Sequence, residues 1–221
     1  MVLTPSTMLP LGTPLPAFRL EQVAGDPLGP SETATPWSTA QLDARPVLVL
    51  FLCAHCPFVK HIEPELSRLE GDYGGQLQIV ALSSNSTITH PQDGPAGLRA
   101  QAERCGWRFP YLFDADQSVA RAFQAACTPD LFLFGPGENG DSGTSGGASR
   151  DASGQGTAGD RAGSTHRLVY RGQLDGSRPG NDQPLDGRDL RAAIEALLAG
   201  RPITPEQIPS IGCNIKWHPD G

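Results

Sequence analysis

Hydrophobic residues occur in short runs separated by polar, Gly-rich or Pro-rich segments, and the run at residues 46–52 (PVLVLFL) has almost no polar character. It is too short to cross a bilayer and is rich in Val, Leu and Phe, which is typical of a β-strand buried on both faces. A helix-spaced set of apolar residues then predicts a helix from Cys56 to about residue 70, ending at Gly71: Val59, Ile62, Leu66 and Leu69. Pro64 lies inside this segment, so we expect a kink there.

A second apolar segment at residues 76–82 (QLQIVAL) predicts another strand. A crossover of helical length connects two parallel strands far more often than two antiparallel ones. The region from residue 46 to residue 82 is therefore interpreted as a βαβ unit.

The remaining periodic segments predict an alternation of helices and strands. We expect helices at residues 95–105, 114–126 and 186–199, the last with Asp186 as N-cap, and a helical turn within residues 37–42. We expect strands at residues 109–113, 131–134 and 166–170, and a short edge strand beginning within residues 17–20.

Three segments fall outside this pattern. Residues 1–16 are Pro-rich and are expected on the surface. Residues 135–165 are rich in Gly, Ser, Asp and Ala, a composition that predicts a disordered insertion in a hairpin, because so few residues can be buried. The tail, residues 201–221, carries apolar residues outside any clear element, so we expect it to dock on the domain. We expect one domain over residues 1–221, with its core at about 10–200.

Net charge, the length of the apolar runs and the cysteine content limit the kinds of binding partner and the cellular compartment that we expect. The chain of 221 residues has a formal net charge of −7, which argues against nucleic-acid and membrane-surface partners. No apolar run reaches the length of a membrane-spanning helix, and the first residues lack the charge pattern of a signal peptide. Five cysteines do not form a regular disulfide framework, so we expect a reducing cytoplasm.

Cys53 and Cys56 form a C-x-x-C pair between the apolar strand and its helix. The N-terminal end of a helix offers unpaired N–H groups and a positive dipole end, which favour a thiolate over a thiol. A protonated His55 between the cysteines would favour the thiolate further. The pattern therefore favours a redox-active pair. A structural disulfide and half of a zinc site remain as alternatives, although zinc would require a second close Cys/His pair.

The element order, with Thr128-Pro129 before a strand, resembles the thioredoxin fold: α/β, with a central mixed sheet flanked by helices. The segments LGTPLPAFRL, CAHCPFVK, CTPDLFLF, YRGQLD and PSIGCNIKW together resemble the peroxiredoxin-like, AhpC/TSA-related proteins of the thioredoxin superfamily. The resemblance implies that Pro129 is cis, that it lies against the thiols, and that the backbone of Thr128 is free to pair with a substrate peptide.

The resemblance implies a thiol–disulfide oxidoreductase without a cofactor, or alternatively a thiol peroxidase with Cys56 as the peroxidatic residue. Cys53 stands where peroxiredoxins have Thr or Ser, and Thr128-Pro129 stands where they have an Arg. Both differences favour disulfide chemistry. A copper-binding chaperone is the least favoured reading, since those proteins use C-x-x-x-C spacing. Expected partners are a disulfide or peroxide substrate and a reducing thioredoxin or glutathione system.

Roles for the individual side chains follow from the same comparison. In a thioredoxin-like mechanism the first cysteine is the more exposed and attacks, so Cys53 is expected to be the nucleophile and Cys56 the resolver. Cys127 is expected near the pair, most simply as a small buried residue. Cys213 is expected to dock with the tail or to act as an additional redox thiol. His90 is interpreted as a solvated loop residue.

Overall fold

The computed structural model describes residues 3–26, 35–137 and 166–219. Within them, a sheet has the strand order β3-β2-β6-β5-β4-β8-β9, and a smaller sheet has the order β1-β10-β7. The strands are β1 (Leu3–Pro5), β2 (Arg19–Ala24), β3 (Thr35–Ser38), β4 (Val47–Phe51), β5 (Gln78–Ser83), β6 (Tyr111–Phe113), β7 (Cys127–Thr128), β8 (Asp130–Gly135), β9 (Arg167–Arg171) and β10 (Ile211–Asn214). The helices are α1 (Pro57–Tyr73), α2 (Pro95–Cys105), α3 (Ser118–Ala122) and α4 (Arg188–Leu198).

Strand β4 lies in the middle of the larger sheet and is buried on both faces, as predicted. It pairs in parallel with β5 and antiparallel with β8, so the sheet is mixed and the βαβ unit is confirmed. Leu48 and Leu50 face one apolar cluster, shared with α1, whereas Val49 and Phe51 face the other. The strand that leads to the cysteines is therefore covered by apolar side chains on both faces.

Helix α1 extends three residues beyond the predicted end at residue 70. Its last turn is anchored because the Tyr73 hydroxyl donates to Glu195 Oε1 of α4 at 3.1 Å. Gly74, rather than Gly71, occupies the C-cap position. Pro64 lies inside the helix, as the sequence indicated.

The bounds of α2 agree with the prediction, but α3 is much shorter than the predicted helix at 114–126. The carboxylate of Asp114 accepts the backbone N–H groups of Val119 and Ala120, at 3.2 and 2.9 Å, which keeps residue 114 outside the helix. The prediction of Asp186 as an N-cap was wrong. Gly187 holds that position, with φ of 65°, and the Asp186 carboxylate instead accepts hydrogen bonds from Arg188.

The edges of the larger sheet differ from the prediction. The segment expected to form an edge strand is β2, which pairs with β3 on one side and β6 on the other. On this side of the sheet the edge strand is β3, within which Trp37 is buried, and a 3-10 turn at Thr39–Gln41 follows it. The helical turn was therefore predicted, but the strand that precedes it was missed.

Residues 135–165 were expected to interrupt a hairpin, and the strands on either side do pair antiparallel, with Gly135 opposite Arg167. Most of the insertion, residues 138–165, lies outside the described residues. The N-terminal segment is not confined to the surface, because Leu9 and Leu15 are buried. Among the described residues, no helix is long and apolar enough to span a bilayer.

Candidate redox site

The C-x-x-C pair lies where β4 gives way to α1. Leu52 is fully buried, and Cys56 is the N-cap residue of α1, with Pro57 in the first turn. The chain around β7 approaches this point from the other side, and its Thr128-Pro129 peptide bond is cis, as expected. The two parts of the chain place both cysteines against Thr128.

Three sulfur atoms and Thr128 form the centre of the site. Cys53 Sγ lies 3.3 Å from Thr128 Oγ1, and the Cys56 thiol donates to the carbonyl oxygen of Thr128 at 3.2 Å. Cys56 Sγ also lies 2.9 Å from Cys213 Sγ. No disulfide joins any of the five cysteines, all of which lie within the described residues. The predicted difference in exposure is absent, because Cys53 and Cys56 are both 0% exposed.

The surroundings of the two thiols favour ionisation of Cys56. Hydrogen bonding by Cys53, together with the Cys213 thiol and the Val59 backbone N–H, lowers the pKa of Cys56 to about 5 despite burial. The shared hydrogen bond with Cys56, then burial and the nearby Asp93 carboxylate, raise the pKa of Cys53 well above its usual value. This order is the reverse of the one expected for an attacking Cys53, and its largest cause is the hydrogen bond that the two thiols share.

A buried carboxylate holds the loop between the cysteines in place. Asp93 Oδ1 accepts the backbone N–H groups of Ala54 and His55 at 3.0 and 3.1 Å. Its Oδ2 lies 2.5 Å from His55 Nδ1 and accepts the Asn85 side-chain amide at 2.8 Å. Sequence reasoning missed Asp93, since an Asp in a polar loop about 40 residues downstream carries no signal that it returns to the cysteine loop.

The His55 ring therefore contacts the Asp93 carboxylate and lies within 4.8 Å of the Cys53 sulfur. The His90 ring stacks on the His55 ring, with 4.8 Å between centroids, so His90 is only partly exposed and belongs to the surroundings of the site. Burial and the neighbouring His55 lower the pKa of His90. The interpretation of His90 as a solvated loop residue was wrong to this extent: it packs against the cysteine loop.

One group of side chains has the composition of a metal site. Potential ligand atoms of Cys53, His55 and Asp93 lie within 4.8 Å of one another. Structural zinc sites normally have four protein ligands, and the Asp93 oxygens already accept hydrogen bonds from the loop. The hydrogen-bonding role of Asp93 accounts for this cluster without a metal ion.

The tail covers the site. Strand β10 pairs with β7, with Cys213 opposite Thr128, so the predicted docking of the tail is confirmed. The Thr128 backbone, expected to be free for a substrate, is instead occupied by this strand. Gly212 permits the close approach, because a Cβ at this position would lie 2.1 Å from the Thr128 carbonyl oxygen.

The two other cysteines lie outside the group of three. The Cys127 side chain is buried and donates to the carbonyl oxygen of Pro129 at 3.4 Å, and burial raises its pKa strongly. Cys105, in the last turn of α2, has its pKa raised to about 11, first by burial. Within the described part of the chain, neither thiol forms a hydrogen bond with Cys53 or Cys56.

The fold and this arrangement of thiols define a redoxin of the thioredoxin superfamily. A family model described as AhpC/TSA family matches residues 11–139, more than half of the sequence, and the chain belongs to that family. It is thus a redox enzyme, an oxidoreductase or a peroxidase. The search of curated proteins found no match.

Solved structures of similar proteins share this fold. An uncharacterized conserved protein from Geobacillus kaustophilus is 38% identical, with a TM-score of 0.79, over 100% of this chain and 99% of its own. A hypothetical protein from Sinorhizobium meliloti 1021 is 37% identical, with a TM-score of 0.77, over 98% of this chain and 99% of its own. Mycobacterium tuberculosis AhpC, at 16% identity and a TM-score of 0.54, covers 87% of this chain and 94% of its own and shares the fold.

Proposed function

We propose that the protein is a thiol–disulfide oxidoreductase whose redox pair is Cys53 and Cys56. The observation that carries this proposal is the convergence of both thiols on Thr128, with one thiol at the N-terminus of α1. A second thiol beside a stabilised thiolate allows a mixed disulfide to be resolved within the protein. In a pair with a purely structural role, the pKa of one thiol would not need to be lowered while that of the other is raised.

The sequence led us to expect Cys53 as the nucleophile and Cys56 as the resolving thiol. The lowered pKa of Cys56 and the raised pKa of Cys53 favour the opposite assignment. The Cys56 thiolate attacks one sulfur of a substrate disulfide, forming a mixed disulfide and releasing the other sulfur as a thiolate. Cys53 then loses its proton and attacks Cys56 Sγ, which forms the Cys53–Cys56 disulfide and releases the second substrate thiol. The substrate gains two electrons and two protons, and an external reductant must return them to the pair.

A peroxidase using Cys56 is the alternative. The acidic Cys56 thiol at the N-terminus of a helix favours it, because the peroxide-reactive form of cysteine is the thiolate. In this reaction Cys56 takes one peroxide oxygen and becomes a sulfenic acid. A neighbouring thiol then condenses with the sulfenic acid, forming a disulfide and releasing water.

The proposal includes the partners and the compartment. A thioredoxin or glutathione system in a reducing cytoplasm would supply the electrons. The net charge of −7 supports a role without nucleic-acid or membrane partners.

One pair of assays tests the proposal. Reduction of a small aromatic disulfide and of insulin disulfides is measured beside thiol-dependent peroxide consumption, for the wild type, Cys53→Ser and Cys56→Ser. Cys105→Ser is the matched control, since Cys105 lies outside the site. We expect disulfide reduction that either site substitution abolishes and the control retains. Rapid peroxide consumption without disulfide reduction would replace the proposal with the peroxidase alternative.

A further inference from the structure

Strand β10 adds to the edge of β7 in the way that an extended peptide binds to a free sheet edge. The pairs are Cys213 with Thr128 and Asn214 with Cys127, in antiparallel register. On its other side β10 pairs with β1, so this segment of the chain is held between two strands. The position next to the thiols that a peptide would need is therefore filled by the protein's own tail.

The contacts that follow β10 are specific and numerous. The backbone N–H of Ile215 donates to the carbonyl oxygen of Ala126 at 3.0 Å, and Ile215 is buried. The backbone of Lys216 forms two hydrogen bonds with the loop after β5: its N–H donates to the side-chain oxygen Asn85 Oδ1 at 2.8 Å, and its carbonyl oxygen accepts the N–H of Ser86 at 2.7 Å. The Asn85 side chain also donates to Asp93, so it forms hydrogen bonds both with the tail and with the carboxylate that holds the cysteine loop.

The side chain that this strand presents to the pair is itself a thiol. Cys213 Sγ is 2.9 Å from Cys56 Sγ, whereas the S–S bond of a disulfide is about 2.05 Å long, so only a small movement of the two atoms would accompany exchange of Cys213 with a disulfide of Cys56. The position of the third thiol therefore singles out Cys56 as its partner.

From this geometry we infer that the C-terminal strand is an intramolecular substrate, and that Cys213 is the first thiol to exchange with the Cys53–Cys56 disulfide. This inference rests on the function proposed above and names the group that the redox pair acts on. While the strand is docked, an external polypeptide cannot pair with β7. After Cys56 has reacted with its substrate and Cys53 has resolved the mixed disulfide, electrons from an external reductant consequently reach the oxidised pair through Cys213.

The exchange involves only the three cysteines and requires no further reagent. Cys213 loses its proton, and its sulfur attacks Cys56 Sγ of the Cys53–Cys56 disulfide. The Cys56–Cys213 bond forms as the Cys53–Cys56 bond breaks, and Cys53 leaves as a thiolate that takes up the proton. An external dithiol, or two glutathione molecules, then reduces the Cys56–Cys213 disulfide to two thiols and is itself oxidised to a disulfide.

Disulfide mapping tests this inference. The reduced wild-type protein is oxidised with one equivalent of a small disulfide, quenched by alkylation at low pH, and digested for mass spectrometry. We expect both Cys53–Cys56 and Cys56–Cys213 disulfides. The share of the Cys56–Cys213 disulfide should rise as that of the Cys53–Cys56 disulfide falls. Cys213→Ser should retain the first disulfide and lose most of the turnover of an external substrate, whereas Cys105→Ser should match the wild type.

A second variant moves the strand without removing a thiol. Gly212→Ala places a methyl group against the Thr128 carbonyl, and the backbone must shift to accommodate it. We expect at least a tenfold smaller share of the Cys56–Cys213 disulfide and faster alkylation of Cys56. Gly75→Ala is the matched control, because nothing lies within 4 Å of a Cβ at that position.

The outcomes separate this inference from the proposed function. If the wild type forms only the Cys53–Cys56 disulfide, and Cys213→Ser turns over at the wild-type rate, the relay is refuted and the redox pair stands. If no Cys53–Cys56 disulfide forms under any condition, the proposed function fails, and the relay fails with it. A Gly212→Ala protein that folds and still forms the wild-type amount of Cys56–Cys213 disulfide would also contradict the relay.

Discussion

The lowered pKa of Cys56 gives a prediction that can be tested directly, because the pKa values of the other four cysteines are raised. The pKa of Cys56 is lowered to about 5, whereas those of Cys105 and Cys213 are raised to about 11 and about 12 and those of Cys53 and Cys127 are raised as well. Titration of the reduced protein should therefore show one thiolate forming near pH 5. No second thiolate should form below the ordinary range for cysteine, about 8.5.

The size of the effect follows from the difference in pH. At pH 7, two units above the midpoint, Cys56 would carry about 100 thiolates for each thiol, whereas an ordinary cysteine would carry only a few per cent of thiolate. Reaction with a small disulfide should then be nearly independent of pH between about 6 and 8. Below the midpoint, the rate should fall tenfold for each further pH unit.

The assay is the ultraviolet absorbance of the thiolate against pH, with the oxidised protein as the blank. Cys56→Ser should abolish the acidic transition. Cys53→Ala should move it to higher pH, because hydrogen bonding by Cys53 is the largest contribution to the lowered pKa. A transition that survives Cys56→Ser and disappears in a Cys53 variant would refute the assignment and restore Cys53 as the nucleophile.

Four other changes test the surroundings of the pair. Asp93→Asn removes the negative charge beside Cys53, so the pKa of Cys53 should fall and a second thiolate should enter the titration at lower pH. His55→Ala leaves that charge without its partner, so the pKa of the attacking thiol should rise and the protein should become less oxidising in glutathione buffers. Asp130→Asn should stabilise the protein at neutral pH by at most about 4 kcal/mol in denaturant unfolding, because burial raises the pKa of Asp130 to about 7. Deletion of residues 137–163 should change the melting temperature and activity little, since loop closure changes by only about 1 kcal/mol and the flanking strands already pair.

The sign of the Asp130 effect is fixed by linkage. The folded-state pKa lies above the unfolded value of 3.8, so the unfolded chain releases this proton first and wild-type stability falls as pH rises from about 4 to 7. In Asp130→Asn this contribution is absent, and the stability difference between the two proteins should vanish below about pH 4. A stability difference that stays constant between about pH 4 and 7 would contradict the explanation by a buried Asp130 carboxyl group. Thiolate titrations that Asp93→Asn and His55→Ala leave unchanged would contradict the roles given to Asp93 and His55. A large loss of melting temperature on deletion of residues 137–163 would show that the segment is more than a passive connection.

The sequence predicted the part of the site that is local in the chain. An apolar run followed by two cysteines and a helix-spaced apolar set defined β4, the thiols and α1, because each signal lies within about 25 residues of the others. The Thr128-Pro129 segment was found only through the family resemblance, since nothing in its own composition connects it to residue 53.

The contacts that depend on tertiary packing were not predictable. Asp93 and the pairing of β10 with β7 unite residues far apart in the sequence, and neither a lone Asp nor a Gly-Cys dipeptide indicates a partner. The same limit explains α3, whose predicted length ignored the Asp114 carboxylate that binds its first N–H groups. The exposure of the thiols was predicted from the thioredoxin-like mechanism, and the docked tail accounts for the difference.

The measurement that tests the account most directly is a redox titration in glutathione buffers, read by alkylation and mass spectrometry. We predict a reversible two-electron transition in which the fully reduced protein loses two hydrogens and forms an internal disulfide containing Cys56. Cys53→Ser should lose the Cys53–Cys56 species and Cys105→Ser should titrate as the wild type. If Cys56 remains reduced or only glutathionylated at every ratio, while peroxide converts it rapidly to a sulfenic acid, the account of a thiol–disulfide oxidoreductase is contradicted.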